Sequence, residues 1–269
     1  MVGAGVNDAP GPTFASHKAR MRDLARAFAR THPARDPHGL AGALGAKLVY
    51  MDLGERDGAY DPEHGVILVN GTHARERQRF TLAHEISHAL LLGDEDLLSD
   101  LHDAFDGDAL EAAIETLCNV GAATILIPDE DLARAVERCG VSGQAIAEVA
   151  RRADVSAAAA LYALSDFVRT PAIFAVCAPT PAHGGKDTSA RGGKGALAVQ
   201  LSASTAPMRY SLRPGTPIPD GHPIDTAYRT DLYIEEASFF PFRSGKRMPA
   251  FVSAFPQRGR VLAAFEERT

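Results

Sequence analysis

The chain has 269 residues, 45% hydrophobic and 23% charged, ordinary globular proportions that exclude a wholly disordered or fibrous protein. Trp is absent and aromatics make only 7%, so the cores must come from Leu, Ile, Val and Ala, a composition that leans helical. The net charge of −6 is uneven: residues 1–169 hold 16 Lys+Arg against 26 Asp+Glu and residues 170–269 hold 12 against 8, so the two parts are expected to meet different partners, or each other.

Residues 1–16, rich in Gly, Pro and Ala, read as a loose tail. Over 17–31 the apolar Met21, Leu24, Ala25 and Phe28 recur at helical spacing until His32-Pro33 stops the run. Residues 47–51 and 66–69 are short β-rich runs separated by Gly54, Asp57-Gly58 and Asp61-Pro62; they predict antiparallel strands of a small sheet. Asn70-Gly71-Thr72 opens a long helix that runs to Leu92 and ends at Gly93, where a left-handed cap is expected. An acidic connection, 94–108, leads to a second strong helix over 109–125, closed by Pro128. Further helices are predicted over 131–139, 144–153 and 157–168. After Pro171 the pattern changes to short apolar runs (IFAVCA, ALAVQL, FVSAF, RVLAAFE) punctuated by Gly and Pro, which predicts an α+β or mainly β module. Within it, residues 180–195 read as a mobile hairpin loop whose glycines admit no phosphate-binding P-loop.

Three cysteines without a C-x-x-C pair point to a reducing compartment, and the first residues lack the charged start and apolar core of a secretory signal. No apolar run approaches the roughly 18 residues that span a bilayer. These features predict a soluble, cytoplasmic protein without membrane attachment.

The chemistry is carried by His84-Glu85-Ile86-Ser87-His88, an H-E-x-x-H inside the long helix. Residues i and i+4 share a helix face, so both imidazoles can bind one metal ion while Glu85 stands a step round from them. The flanking Phe80, Leu82, Leu90 and Leu91 argue against two ordinary surface histidines. A catalytic zinc needs a third protein ligand and one open position. Asp94 stands where a metzincin-like pattern would place that ligand, but the pattern wants a glycine at 91, where Leu91 stands, and Gly93 is two residues late. The second helix offers Glu111, Glu115 and Asn119 on one face among apolar neighbours. Glu115 is central there and is favoured over Asp94, with Asn119 one turn on as a supporting group; Glu111, nearer the acidic connection, is expected in solvent or at the helix cap. Tyr60 and His102 could reach the site but read more simply as packed or exposed side chains.

The string RQRFTLAHEISHALL at 77–91, followed by ETLCN at 115–119 and ILIP at 125–128, resembles the ImmA/IrrE metallopeptidases, above all the radiation-response members of that family. The resemblance covers essentially the whole chain. It implies a zincin-like metallopeptidase domain at 1–127, a helix-turn-helix-like helical part at 128–169 and a GAF-like sensor module at 170–269. It implies Zn²⁺, with Mn²⁺ as an alternative, held by His84, His88 and Glu115, with Glu85 as the base that takes a proton from water and passes it to the leaving amine. The implied substrate is a helix-turn-helix repressor of DNA-damage-response genes, and a small-molecule or nucleotide signal is implied at the C-terminal module. Two positions depart from the family pattern: Leu117, where many relatives carry Glu, and Gly121, where a large residue is usual.

Residues 145–164 have the form helix, Asp-Val-Ser turn, helix, yet the second helix offers Ala157, Ala158, Ala159 and Ala160 where base-contacting side chains are needed, and its surroundings are acidic. That argues against direct DNA binding; these helices are expected to pack on the peptidase helices or to shape the substrate groove. Arg243, Lys246 and Arg247 beside Phe239, Phe240 and Phe242 are compatible with nucleotide or single-strand binding, but read more simply as a β-hairpin with buried Phe and a solvated tip. The rivals to a peptidase are a DNA-binding activator whose H-E-x-x-H is a structural metal site and a metal-dependent sensor without turnover. Glu85 separates them, since a structural site has no use for a carboxylate that is not a ligand.

Overall fold

The computed structural model describes residues 13–32, 36–180 and 196–267. Most of the expected N-terminal tail and of the 180–195 loop therefore lies outside the described residues. The chain divides into two compact units between Leu126 and Ile127.

In the first unit, Thr13 caps α1 (Phe14–Thr31) by accepting the Ser16 N–H, so the helix begins three residues before the expected start and takes in what reads as tail. Its buried face is His17, Met21, Ala25 and Phe28. The short α2 (Pro37–Ala43) precedes β1 (Lys47–Met51), β2 (Gly58–Asp61) and β3 (Val66–Asn70). The sheet order is β1-β3-β2, with β1 parallel to β3 and β2 antiparallel to it. The two β-rich runs are thus parallel, not antiparallel. The chain crosses from β1 to the far edge, forms β2 from residues that read as turns, and returns in a hairpin, so β3 lies between the other two and must run with β1.

Asn70 does not open the next helix. It is fully buried at the end of β3, where its side-chain amide donates to the Gly54 and Arg56 carbonyls and its oxygen accepts from Thr72, tying the β1–β2 connection to the helix entrance. The helix itself is α3 (Arg75–Leu92). Gly93 has φ −81°, so no left-handed cap forms; Asp94 follows at once as the side-chain cap of α4 (Glu95–Ala104). The acidic connection is therefore largely helix: Leu97 and Leu101 are buried with Leu98 beside them, and Glu95, Asp96 and Asp103 face water.

Helix α5 (Gly107–Leu126) packs along α3 and α1. By length and composition alone it could cross a membrane, contrary to the expectation from the apolar runs, but it is a core helix that also carries Glu111 and Glu115. Met21, Leu91, Leu97, Leu101, Ala113, Leu117 and Cys118 form the core cluster between these helices.

In the second unit α6 (Asp129–Cys139), α7 (Gly143–Ala153) and α8 (Ala157–Phe167) lead into an antiparallel sheet of β4 (Ala172–Pro179), β5 (Leu197–Ser204), β6 (Ile234–Pro241), β7 (Arg247–Gln257) and β8 (Arg260–Glu266), with α9 (Pro223–Thr230) inserted after β5. The strand order is β5-β4-β8-β7-β6. Ile173, Ala175 and Cys177 face a core shared with Ile224 and Ala227 of α9, while Ala172 and Phe174, on the opposite face, are buried as well. Burial on both faces is why these strands read as continuous apolar runs rather than alternating ones.

Helices α7 and α8 pack on this sheet, α7 on β7 and β8 and α8 on β4 and β5. Gly143 is the contact that permits it: a Cβ there would overlap the Leu262 carbonyl. The basic and aromatic stretch forms the β6–β7 hairpin, with Phe240 fully buried and Arg247 lying over the Phe239 ring at 4.7 Å.

Candidate metal centre

Helix α3 is buried on most of its circumference around the H-E-x-x-H, with Thr81, Leu82, Ala83, Glu85, Ile86 and Ser87 all inside. His84 and His88 emerge on the side that faces α5, one turn apart. Their Nε2 atoms lie 3.1 Å apart, and Glu115 of α5 brings Oε2 to 3.3 Å from His84 Nε2 and Oε1 to 3.4 Å from His88 Nε2. The three donors lie within 4.8 Å of one another and are the described residues able to hold a metal ion. A tetrahedral ion with bonds of about 2.0–2.1 Å separates its ligand atoms by about 3.3–3.4 Å. The spacing here fits one ion, which these three donors would hold, and Glu115 is half exposed.

Asn119, one turn beyond Glu115, places Oδ1 3.2 Å from His84 Nδ1. An Nδ1–H donated to that oxygen leaves the Nε2 lone pair free for a cation and fixes the ring plane. Burial and the neighbouring His84 hold the His88 imidazole below the ordinary histidine range, which favours the neutral, ligating form.

The Glu85 side chain reaches β2 of the sheet. Its carboxylate accepts the Tyr60 backbone N–H and packs against Gly58, where an added Cβ would stand 2.5 Å from Thr81 Cγ2 and 3.1 Å from Glu85 Oε1. Burial, reinforced by the nearby charge of Glu115, pushes its pKa up to about 7. Gly58 and the Tyr60 amide escape a sequence reading because their part is played by backbone; only the bare glycine at the start of β2 signals a close approach. Tyr60 reaches the site through its main chain, and His102 is exposed on α4.

Of the remaining candidates, Glu111 is exposed at the start of α5. Asp94 is buried: it caps α4 through the Leu97 N–H and pairs with Arg20 Nε at 2.8 Å. A carboxylate already engaged by a helix end and a guanidinium is not free to serve as a ligand. Burial pushes the thiols of Cys118, Cys139 and Cys177 up, so none is poised as a thiolate nucleophile.

Residues 41–165 match the family described as the IrrE N-terminal-like domain of the M78 peptidases. Over 262 residues the chain is 55% identical to the radiation response metalloprotease IrrE of Deinococcus deserti, covering 97% of this chain and 92% of that protein. It belongs to the IrrE family. The radiation response metalloprotease IrrE of Deinococcus radiodurans is 52% identical over 259 residues, which cover 94% of this chain and 79% of the relative. A solved Mycobacterium tuberculosis transcriptional regulator shares the fold with TM-score 0.60 at 19% identity, covering 95% of this chain and 81% of that one. The IrrE family is one of metallopeptidases acting in the radiation response, and in this member His84, His88 and Glu115 form a cluster that could hold a metal ion.

Proposed function

We propose that this protein is a zinc-dependent endopeptidase that cleaves a helix-turn-helix transcriptional repressor and thereby switches on the DNA-damage response in the cytoplasm. The observation that carries the reading is the pairing of a three-donor cluster at tetrahedral spacing with a buried carboxylate, Glu85, that is not one of the donors. His84, His88 and Glu115 would hold the ion, and a nitrogen-rich set with one carboxylate suits Zn²⁺. When bound, the ion supplies Lewis acidity that acidifies water and polarises a peptide carbonyl. Glu85, fixed by the Tyr60 amide, takes the proton of the attacking water and delivers it to the departing amine. Asn119 orients the His84 ring.

Residues 1–127 would carry the chemistry, 128–169 a helix-turn-helix-like segment, and 170–269 a GAF-like module that receives the signal. The second and third segments share one folding unit. The rival DNA-binding reading draws little support from α8, whose Ala157, Ala160, Leu161 and Leu164 are buried.

The test is incubation of purified protein with candidate repressors, with and without a chelator. A discrete cut that disappears with chelator and returns with Zn²⁺ or Mn²⁺ is expected. Intact repressor under every metal condition, from protein that binds the metal, would remove the reading.

A further inference from the structure

In the second unit a cavity of about 450 Å³ opens between the segment after β5 and the β6–β7 turn. Its walls include Tyr210 and Phe242 together with Arg213, Arg243 and Lys246, and no Asp or Glu lines it. Three cations thus gather around one cavity with no carboxylate among its walls. Among the described residues none of the three is held in an ion pair, whereas Arg229 of the same unit is paired with Asp220 and Asp225. Like charges gathered without a counter-ion repel one another, and a bound anion removes that cost.

The walls are built, not loose. Ser204 Oγ donates to the Tyr210 carbonyl at 2.7 Å, Ser202 Oγ to the Leu212 carbonyl, and Thr216 Oγ1 to the Arg213 carbonyl at 2.6 Å, so three consecutive stretches of the segment are pinned by side-chain hydroxyls. Phe242 stacks on the fully buried Phe240 at 5.6 Å and meets Tyr210 edge-on at 5.7 Å. The aromatic corner is therefore held by the core of the unit.

A cavity in the range of about 300–1,000 Å³ suits a small molecule. The lining asks for a ligand with one strongly anionic end, met by guanidinium and ammonium groups, and one flat apolar end, met by the rings. We propose that this cavity is a mononucleotide-binding site, with the phosphate against Arg213, Arg243 and Lys246 and the base against Tyr210 and Phe242. A single strand of nucleic acid is served less well, because it needs successive ring platforms along a groove, and this lining offers one pair of rings, Tyr210 and Phe242. Binding at this site does not depend on the peptidase reading, and the test reads binding alone.

Purified full-length protein is titrated by calorimetry with AMP, GMP, CMP and UMP, with inorganic phosphate, with the matching nucleosides, and with a short single-stranded oligodeoxynucleotide. The expected result is saturable binding of at least one mononucleotide, weakened by salt, with phosphate or nucleoside alone weaker by about tenfold or more. Arg213→Gln and Arg243→Gln, at exposed positions that leave the aromatic packing intact, should each weaken binding by about tenfold with unchanged circular dichroism. The proposal is overturned by any of four outcomes: no saturable mononucleotide binding up to millimolar concentration, folded variants that bind as tightly as the parent, phosphate binding as tightly as the nucleotide, or an oligonucleotide that binds while mononucleotides neither bind nor compete.

Discussion

Gly121 of α5 lies directly against Ser87 of α3: a Cβ at 121 would stand 2.5 Å from Ser87 Oγ and 2.6 Å from Met21 Cε. This contact sets the separation of the helix that carries Glu115 from the helix that carries His84 and His88. Met21 of α1 fills the space that a side chain at 121 would take. Gly121→Val should push the helices apart, lower metal affinity at least tenfold and cost about 1–3 kcal/mol of stability. Gly121→Ala should do both more weakly. Metal titration and thermal melts of the two variants check this; a Val variant with parental affinity would show that the helix contact does not govern the donor spacing.

Glu85→Gln should retain the metal and lose proteolysis by a factor of about 10²–10⁴, because the amide keeps the shape but cannot take a proton from water. Metal analysis alongside a cleavage assay reads the two effects separately. Cleavage near the parental rate would remove Glu85 from the base role.

Glu115→Ala and Asp94→Ala should differ in kind. Glu115 is half exposed, so its loss should empty the metal site while changing stability by no more than about 0.5 kcal/mol in the metal-free protein. Asp94→Ala should keep the metal and lose about 1–2 kcal/mol, because it removes both the cap of α4 and the partner of Arg20. Asp94→Asn, which preserves the cap, should lose less. Metal content and melting temperature of the three proteins decide the matter, and reduced metal content in folded Asp94→Ala would reopen its candidacy as a ligand.

The Asp94 carboxyl also predicts a pH dependence. Burial alone raises its pKa, but the hydrogen bond from Arg20 and the Leu97 N–H outweigh it and hold the group below its ordinary value of 3.8. A lowered folded-state pKa stabilises fully above the unfolded value, and this contribution fades as pH falls through the folded one. The stability gap between the parent and Asp94→Asn should be constant at neutral pH and narrow below about pH 4. Chemical denaturation of both proteins across that range provides the measurement.

Gly143→Ala should destabilise the second unit by about 1–3 kcal/mol, because the added methyl overlaps the Leu262 carbonyl and α7 must lift from β8. Hydrogen exchange should show earlier opening of α7 and β8 while α3 and α5 keep their protection. Equal loss in both units would mean that they unfold as one.

Sequence alone was enough to bring His84, His88 and Glu115 forward as one cluster, because H-E-x-x-H at one-turn spacing and a carboxylate on an apolar helix are local patterns that a helix turns directly into geometry. It was also enough for α6, α7 and α8, whose boundaries follow from caps such as Ser142 and Ser156. What it left undecided concerns pairing between distant segments. Gly58 to Asp61 read as turn and became β2 because β3 was there to pair with them. Asp94 was offered as a ligand and became a cap because α4 started beside it and Arg20 reached it from α1. The close approaches at Gly58, Gly121 and Gly143 belong to the same class: a missing side chain leaves no periodic signal, and what it admits is visible only once the opposing backbone or side chain is in place. Local pattern sets which groups are offered to the site, and tertiary packing decides the distances at which they meet.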